Sequence, residues 1–316
     1  MKILVTGASG FIGRCLCVHL AKRGHVVTAS VRSTDTPQIE KSKQSFVVGD
    51  LGPDTDWTHA LEGQDMVIHL AARAHVMNEI SSDPEALYRR ANVEGTERLI
   101  QQMSEHKVSR LLFMSSVKVN GEQTMDQPFT EAMASQPKDP YGRTKYQAEV
   151  IVSKAPNLKS TIIRSPLVYG PGVKGNFLKL IQLSEHGLPL PIRMIKNKRS
   201  LIFLDNLVDA IIHTLENSLS IGQTYLVSDE DNISTPELFH AVGNALNKPT
   251  RLIPFPVCLL RLAGVLFNKS EAINRLAGSL HVDCTKIRKE LGWKPPFSLQ
   301  QGLDKTAIWY QNQSKL

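Results

Sequence analysis

The amino-terminal half of the chain alternates short apolar runs with longer segments in which apolar residues recur every three or four positions. The runs predict strands at residues 2–8, 26–31, 45–50, 66–72, 110–116 and 160–165. The amphipathic segments between several of them predict helices at residues 11–24, 85–106 and 141–154. Strands that alternate with helices require crossover connections, which favour a parallel sheet covered on both faces. We therefore predict an α/β fold built on a doubly wound parallel sheet.

The pattern changes after about residue 167, where glycine and proline become frequent. The elements predicted there are loops at 169–177 and 188–194, a strand and a helix within 200–217, and a strand at 224–229. Ser234 with Glu237 three residues later predicts a helix start, and Gly292 predicts a helix end. We expect a first domain of residues 1–167 and 200–229, and a smaller mixed α/β domain of residues 168–199 and 230–316.

The most apolar later segment, residues 252–267, is too short to span a bilayer and contains two prolines and Arg261. It predicts a buried helix with a proline-rich lead-in. The cysteines are Cys15, Cys17, Cys258 and Cys284. Their spacing fits neither a metal site nor a redox pair, so we expect buried, reduced thiols. No signal-peptide pattern precedes the first strand, which favours a cytoplasmic protein without a membrane partner.

The chain has 316 residues, of which 41% are hydrophobic and 21% charged, and its formal net charge is +7. The densest basic cluster is KNKR, residues 196–199. No basic stripe interleaved with aromatic residues is present, so nucleic acid is not the expected partner. A positive excess also suits small polyanions such as nucleotides.

A glycine-rich turn, TGASGFIG (Thr6–Gly13), follows the first strand and precedes a helix. That context is typical of a dinucleotide fingerprint, in which glycines let the backbone approach a pyrophosphate at a helix N-terminus. The spacing is GxxGxxG rather than GxGxxG, so a purely structural turn is the alternative.

The end of the second strand carries Val31 and Arg32, with no carboxylate before Asp35. An acidic residue here would bind the adenosine ribose of NAD(H), whereas an arginine accommodates the 2′-phosphate of NADP(H). The sequence favours NADP(H), with NAD(H) possible and with a merely solvated Arg32 as the alternative.

A tyrosine and a lysine stand four residues apart in DPYGRTKYQAE. Tyr141 and Lys145 would share one face of a helix that Asp139 caps. An ammonium near a phenol lowers the pKa of that phenol, which would let Tyr141 exchange protons with a hydroxyl or carbonyl group. A serine at the end of the preceding strand, Ser115 or Ser116, could hydrogen-bond the same oxygen. A Tyr–Lys pair at this spacing also arises by chance, and its place after the glycine turn is what favours a catalytic interpretation.

Taken together, these motifs resemble the extended short-chain dehydrogenase/reductases, in particular the NAD(P)-dependent nucleotide-sugar epimerase/dehydratase family. The motifs are TGASGFIG, HLAARAHV, ANVEGT, MSSVKVNGE, DPYGRTK, RSLIFLDNLVDA and KIRKELGWKP. The resemblance implies a Rossmann domain and a smaller domain that binds a nucleotide sugar. It also implies a homodimer formed through the two long helices that contain Asn92 and Tyr141.

The resemblance implies roles for individual residues. Tyr141 would be the acid–base, Lys145 would bind the ribose and lower the pKa of Tyr141, and Ser116 would align the substrate oxygen. The cofactor would contact Gly7, Gly10, Phe11, Ile12, Gly13, Arg32, Asp50, Leu51, Ala71, Ala72, Asn92, Ser115, Tyr141 and Lys145. The substrate would contact Ser116, Asn176, Phe177 and Arg199, with Arg199 on the diphosphate.

Three departures from the family pattern bear on the reaction. Many sugar epimerases carry an acidic residue where Val31 stands, an asparagine common after the sixth strand is replaced near Leu167, and the acidic pair of the dehydratases is missing after the serine strand. Dehydration is therefore the least expected chemistry. Arg32 favours reduction of a UDP-4-keto-6-deoxy-N-acetylhexosamine for bacterial surface polysaccharides. A UDP-glucose or UDP-N-acetylglucosamine 4-epimerase is the alternative, and a non-catalytic nucleotide-binding regulator is a remote one.

Overall fold

A computed structural model describes residues 1–74 and 83–313 of the chain. Within those residues lie the strands β1 (Lys2–Thr6), β2 (Val26–Val31), β3 (Gln44–Val47), β4 (Met66–His69), β5 (Arg110–Ser116), β6 (Lys159–Ser165), β7 (Leu167–Tyr169), β8 (Arg199–Phe203), β9 (Thr224–Leu226) and β10 (Asn232–Ile233). The α-helices are α1 (Phe11–Lys22), α2 (Thr58–Leu61), α3 (Pro84–Arg89), α4 (Gly95–Glu105), α5 (Pro140–Lys154), α6 (Gly175–Glu185), α7 (Leu204–Glu216), α8 (Thr235–Ala245), α9 (Val257–Leu266), α10 (Ser270–Ala277), α11 (Thr285–Leu291) and α12 (Leu299–Gln313).

The large sheet has seven parallel strands in the order β3-β2-β1-β4-β5-β6-β9. Apart from the mostly exposed edge strand β3, its strands are largely buried because helices cover both faces, with α1 and α7 on one and α4 and α5 on the other. In β1, Ile3 and Val5 pack in one of these layers and Leu4 packs in the other. The doubly wound parallel sheet expected from the sequence is confirmed.

The strand order reverses between β1 and β4. The chain leaves β1 toward β2 and β3, then returns to the opposite side of β1 as β4. In open α/β sheets a ligand binds outside the carboxyl ends of the strands at such a reversal. The topology therefore directs attention to the loops that follow β1 and β4.

A second, three-stranded sheet is mixed: β8 pairs parallel with β7 and antiparallel with β10. Helices α6, α8 and α12 pack with these strands around a separate apolar cluster that includes Phe177, Leu201 and Leu303. Of the elements after residue 199, β9 joins the large sheet and β8 the small one. The proposed division of the chain into two domains stays a prediction.

Local capping follows the sequence signals. The Asp139 side chain accepts a 2.7 Å hydrogen bond from Gly142 N, and Pro140 occupies the first turn of α5. Ser234 and Glu237 form a reciprocal capping box at the start of α8. Gly292 ends α11 with a left-handed φ of 72°. Each predicted cap is confirmed.

The expectation of a buried helix in residues 252–267 is wrong. The segment forms α9, but Gly264 is the only residue of that helix that is buried. Several large apolar side chains of this region are exposed, and the Cys258 thiol is exposed as well. The prediction assumed that an apolar helix is buried. Burial also requires a neighbouring surface that can cover the helix, and the sequence pattern does not show whether one is present. Among residues 1–74 and 83–313, no helix is long and apolar enough to cross a membrane.

A buried ion pair joins α5 to the large sheet. On β6, Arg164 donates to both carboxylate oxygens of Glu149, at 2.9 and 2.6 Å, and also to Asn120 Oδ1 at 3.1 Å. Both side chains of the pair are less than a tenth exposed. Because α5 carries Tyr141 and Lys145, this pair helps to fix the helix on which the candidate acid–base residues stand.

We predict that Arg164→Met lowers the free energy of unfolding by about 3–5 kcal/mol, because it leaves the Glu149 carboxylate buried without its partner. The double variant Arg164→Met/Glu149→Met should recover most of that loss, since no buried charge remains. Chemical denaturation measures both. Arg288→Met, which breaks the more exposed 2.6 Å pair with Glu230, should cost at most about 1 kcal/mol. A single variant as stable as the wild type, or a double variant less stable than the single one, would contradict this role.

Candidate active site

The glycine turn is shaped by close backbone contacts. Gly7 has a φ of +66°, and a Cβ at this position would lie 2.8 Å from Ala71 N. A Cβ at Gly13 would lie 2.3 Å from Gly7 O, which is closer than atoms can approach. A side chain is thus excluded at Gly7 by the loop after β4, and at Gly13 by the turn itself. This packing accounts for two of the three glycines.

The turn also presents unpaired helix N–H groups. Gly10 is the N-cap of α1, without a side-chain cap, and the first turn contains no acidic residue. The intrahelical ladder begins with Arg14 N donating to Gly10 O at 3.1 Å. Gly10 N donates to Gly7 O at 2.9 Å, whereas the N–H groups of Phe11, Ile12 and Gly13 precede the first intrahelical bond. With the positive end of the helix dipole they form a site that favours an anion such as a pyrophosphate.

A cavity of about 560 Å³ opens beside this turn. It is lined by seven of the predicted cofactor-binding residues: Gly7, Gly10, Arg32, Asp50, Leu51, Ala71 and Ala72. Its volume lies within the range of small-molecule and cofactor sites. The cavity, the side-chain-free turn and the helix N-terminus together fit a dinucleotide. His75 and Val76, the end of the HLAARAHV motif, lie outside the described residues.

Arg32 lies at the cavity wall but already has a partner. Its Nε lies 3.3 Å from Asp50 Oδ1, and both side chains are largely exposed. Such a surface pair is weak, about 0–1 kcal/mol, so Arg32 can leave it. Asp50 nevertheless puts a negative charge next to the arginine that was expected to bind a 2′-phosphate.

A chain of buried hydrogen bonds holds the loop after β4. Ala71 N donates to Thr6 Oγ1 at 3.1 Å, and Thr6 Oγ1 lies 2.7 Å from His69 Nδ1. On its other side, His69 Nε2 lies 3.1 Å from Thr96 Oγ1, which donates to Asn92 O at 2.7 Å. All four contacts are satisfied when His69 carries its proton on Nε2. Burial, and then the Lys145 ammonium, lower the pKa of His69 to about 3, which keeps the ring neutral.

Asn92 continues this network from a π-helical turn, Arg90–Glu94, between α3 and α4. Its amide accepts from Arg73 N at 2.8 Å and donates to Arg73 O at 3.1 Å and to Thr144 Oγ1 at 3.2 Å. π-Helical turns are frequent at functional sites because they redirect a side chain. Here the redirected amide connects the loop after β4 to α5.

The first turn of α5, which carries Tyr141, packs against the turn that follows Ser116. A Cβ at Gly142 would lie 2.8 Å from Lys118 O, so this turn packs directly on the 3₁₀ turn that follows Ser116. The Lys118 ammonium also pairs with Asp139, the cap of α5. Ser116 Oγ accepts from Lys118 N at 3.3 Å. Asp139 and Lys118 thus join the serine turn to the tyrosine helix.

The ionisation of Tyr141 differs from the sequence expectation. Burial, and then the charges of Asp139 and Tyr88, raise the pKa of Tyr141 above its usual value of 10. We had expected the Lys145 ammonium to lower this pKa, and that expectation is wrong for the protein without a bound ligand. The structure makes Tyr141 a proton-holding acid until a positive charge arrives beside it.

Lys145 is buried in an apolar setting. Its Nζ lies 3.9 Å from the centre of the Phe113 ring, and the side chain is only 2% exposed. Burial lowers the pKa of Lys145 from 10.5 to about 7, although Glu149 opposes this shift. The amine therefore changes its charge close to neutral pH, which suits a group that responds to what binds next to it.

The remaining predicted residues occupy varied settings. Ser115 Oγ is buried and has no hydrogen-bond partner within residues 1–74 and 83–313. Asn176 is exposed, whereas the Phe177 ring is buried and stacks on Tyr169 at 5.1 Å, so a nucleotide could contact Phe177 only through its backbone. Arg199 is half-buried and donates to Arg275 O, and burial lowers its pKa.

Sequence reasoning missed two residues of this region. His69 interrupts the apolar run MVIHLAA, and a polar residue in a buried strand was the available signal. Trp57 lines the cavity while being only 1% exposed, and its indole nitrogen is a buried atom without a partner in the described part of the chain. Nothing in the sequence around Trp57 marks it as facing a ligand site.

We predict that Lys145 makes stability increase with pH. Between its folded pKa of about 7 and its ordinary value of 10.5, the unfolded chain binds more protons than the folded one. Lys145 therefore contributes a rise in the free energy of unfolding through this window. Lys145→Met should flatten that rise between pH 7 and 10, below the range in which Tyr141 titrates. Chemical denaturation at several pH values measures how the free energy of unfolding changes with pH. The control is Lys154→Met, which replaces an exposed lysine on the same helix. Equal slopes in the two variants would refute the assignment.

Comparison with known proteins agrees with this geometry. Residues 3–228 match the model of the NAD dependent epimerase/dehydratase family. A Vibrio cholerae protein named UDP-glucose 4-epimerase is 41% identical over 313 residues, covering 97% of this chain and 94% of that protein. An Escherichia coli O157:H7 protein named N-acetyl-alpha-D-glucosaminyl-diphospho-ditrans,octacis-undecaprenol 4-epimerase is 28% identical over 327 residues, covering 96% and 94%.

A solved structure supports the fold. The crystal structure of UDP-glucuronic acid 4-epimerase from Bacillus cereus, in complex with UDP-glucuronic acid and NAD, superposes with a TM-score of 0.78 at 23% identity and covers 99% of this chain and 100% of its own. At that identity the likeness bears on the fold alone, and it agrees with the seven-stranded sheet. The family match over residues 3–228 and the 41% identity with the Vibrio protein establish the family of this chain. The chain belongs to the NAD dependent epimerase/dehydratase family.

Proposed function

We propose that this protein is a 4-epimerase of a UDP-activated hexose or N-acetylhexosamine. The observation that carries the proposal is the 41% identity, over 97% of the chain, with the Vibrio cholerae protein named UDP-glucose 4-epimerase. The reductase function that Arg32 favoured is not confirmed, and the relatives support epimerisation better. The E. coli relative is also named as a 4-epimerase, which supports a reaction at C4 of the sugar.

NAD(H) is the cofactor we propose. The NADP(H) preference depended on a free Arg32, but this guanidinium faces the Asp50 carboxylate at 3.3 Å. A 2′-phosphate in that place would meet a negative charge, whereas a ribose hydroxyl can donate to one. The match of residues 3–228 to an NAD dependent family supports this choice. Gly7, Gly10 and the N–H groups of α1 would hold the pyrophosphate, and the wall around Asp50 and Leu51 the adenosine.

In the reaction, the side chains of this protein move the proton. Ser116 would hold the C4 hydroxyl, and Tyr141, which must first be present as the phenolate, would accept its proton while the C4–H bond breaks and its electron pair leaves as hydride. A nicotinamide bound beside Tyr141 would supply a reversible acceptor for this hydride, which would return to the other face of C4 once the 4-ketose has rotated in the site. Tyr141 then gives the proton back to the oxygen. One proton and one hydride leave and return, so no net oxidation occurs.

The electrostatics of the free protein fit a cycle that starts only when the site is full. Tyr141 holds its proton in the free protein because burial and Asp139 disfavour the phenolate. A positive charge brought close to the phenol lowers its pKa. The oxidised nicotinamide and a protonated Lys145 can provide that charge together. Because the pKa of Tyr141 falls only when a cationic ligand is bound, proton transfer is limited in the empty site.

A sugar diphosphate is the common chemical feature of the substrates named for the relatives. We propose that Arg199 binds this diphosphate and that Asn176 and the backbone of Phe177 lie near the nucleotide. Arg199 bonds only to a backbone carbonyl among the contacts seen here, that of Arg275, so its charge is not neutralised by this contact. We also propose that the protein forms a homodimer through α5 and the helical segment that contains Asn92.

We predict that Tyr141→Phe lowers epimerase turnover by about 10²- to 10⁴-fold, because the hydroxyl proton loses its acceptor. The variant should keep its bound nucleotide, which we expect to be NAD, since the phenol oxygen does not hold the pyrophosphate. Conversion of UDP-glucose to UDP-galactose measures turnover, and denaturation followed by chromatography identifies the nucleotide.

Tyr146→Phe is the matched control, because Tyr146 lies on the same helix and is exposed. It should behave as the wild type in both assays. Wild-type turnover in Tyr141→Phe would refute the role of the phenol. Release of NADP instead of NAD would refute the proposed cofactor.

A further inference from the structure

Helix α9 presents an apolar face to solvent. Leu259, Leu262, Val265, Leu266 and the adjoining Phe267 are each 46% to 74% exposed, and we call these five residues the α9 face. Their spacing of three and four positions puts them on one side of the helix. Single exposed apolar residues are ordinary, but a contiguous group of this kind marks an interaction surface.

The opposite side of α9 is firmly seated, so this exposure is not the result of a detached helix. Val257 and Leu260 pack on the buried residues Ile192, Ile195 and Phe239. A Cβ at Gly264 would lie 2.9 Å from Ile273 Cδ1, which shows how closely α9 and α10 approach. The helix therefore packs on the protein through one side and presents its apolar face to solvent on the other.

The charge around the α9 face has one dominant sign. Residues 248–275 contain five basic residues, Lys248, Arg251, Arg261, Lys269 and Arg275, and one acidic residue, Glu271. Lys248, Arg251, Arg261 and Lys269 are exposed, and Glu271 lies 3.2 Å from Arg275. Arg261, within α9, and Lys269, two residues after Phe267, put positive charge beside the apolar face. Such a face is complementary to an anionic lipid surface, where acyl chains meet negative headgroups.

We propose that the α9 face docks this protein on the surface of an anionic membrane. Helix α9 has ten residues, which is about 15 Å and only half of the hydrocarbon thickness, so it would lie in the interface and not span it. The five apolar side chains would enter the region between headgroups and acyl chains, while Arg261 and Lys269 contact lipid phosphates. The sequence alone predicted no membrane partner, because the apolar residues of this helix were taken to be buried.

Docking there would bring the substrate side of the protein close to the bilayer. Helix α10, which packs against α9, accepts a hydrogen bond from Arg199 through the carbonyl of Arg275. Packed helices lie about 8–10 Å apart, so Arg199 would be within roughly two helix diameters of the membrane surface. This consequence rests on the proposed function of Arg199, whereas the docking itself does not.

Vesicle flotation with the full chain tests the proposal. Wild-type protein should float with vesicles of phosphatidylethanolamine and phosphatidylglycerol, and bind neutral phosphatidylcholine vesicles less. The variant Leu262→Ser/Leu266→Ser/Phe267→Ser should lose at least tenfold in partitioning to the anionic vesicles. Because these side chains are exposed, the variant should fold as the wild type does, which circular dichroism checks.

The matched control is Leu219→Ser/Ile308→Ser, which removes two equally exposed apolar side chains outside the α9 face. It should float as the wild type does. A wild-type protein that stays in solution, or a triple variant that binds vesicles normally, would overturn the proposal. So would a self-associated wild type that the triple variant converts to smaller species without any vesicle binding, because the face would then belong to a second copy.

The experiment separates this proposal from the proposed function. Flotation is read without turnover, so failure to bind vesicles leaves the 4-epimerase proposal unaffected. A protein that floats but does not convert a soluble UDP-sugar would refute the function and leave the docking surface in place. The triple variant should convert soluble UDP-glucose at the wild-type rate, since none of its three residues belongs to the active site.

Discussion

The candidate active site depends on how the loop after β4 is held against the glycine turn. Gly7 has no room for a side chain because Ala71 N would lie 2.8 Å from its Cβ, and Ala71 is fixed there by Thr6. The same hydroxyl orders His69, which reaches Asn92 through Thr96. One buried chain of hydrogen bonds thus connects the glycine turn to the π-helical turn. Without it, the cavity between them would lose its wall.

Burial organises the proton chemistry on the other side of this network. Asn92 bonds to Thr144 on α5 and to Arg73 in the loop after β4, which connects that loop to the helix of Tyr141 and Lys145. On that helix, burial raises the pKa of the phenol and lowers that of the amine to about 7. Both residues therefore tend toward their neutral forms in the free protein. A cationic ligand lowers the pKa of the Tyr141 phenol and so favours its phenolate, although it does not favour the Lys145 ammonium. The base is therefore favoured when the site is filled.

The sequence predicted what local chemistry determines. The strands β2 and β5 occupy the predicted residues, and the caps at Asp139, Ser234 and Gly292 form because a single side chain or φ angle decides them. Features that depend on three-dimensional neighbours were missed or wrong. The Arg32–Asp50 pair, the raised pKa of Tyr141 and the exposed face of α9 each result from packing between segments far apart in the chain, which residue patterns do not encode directly.

Return of hydride within a single retained cofactor separates 4-epimerisation from net reduction. UDP-glucose carrying deuterium at C4 can be incubated with the purified protein, without added nucleotide, and the product analysed by mass spectrometry and NMR. An epimerase that uses Tyr141 with one bound NAD should yield UDP-galactose that keeps the deuterium at C4. Product that forms only when NADPH is supplied, or that has lost its deuterium, would contradict this function.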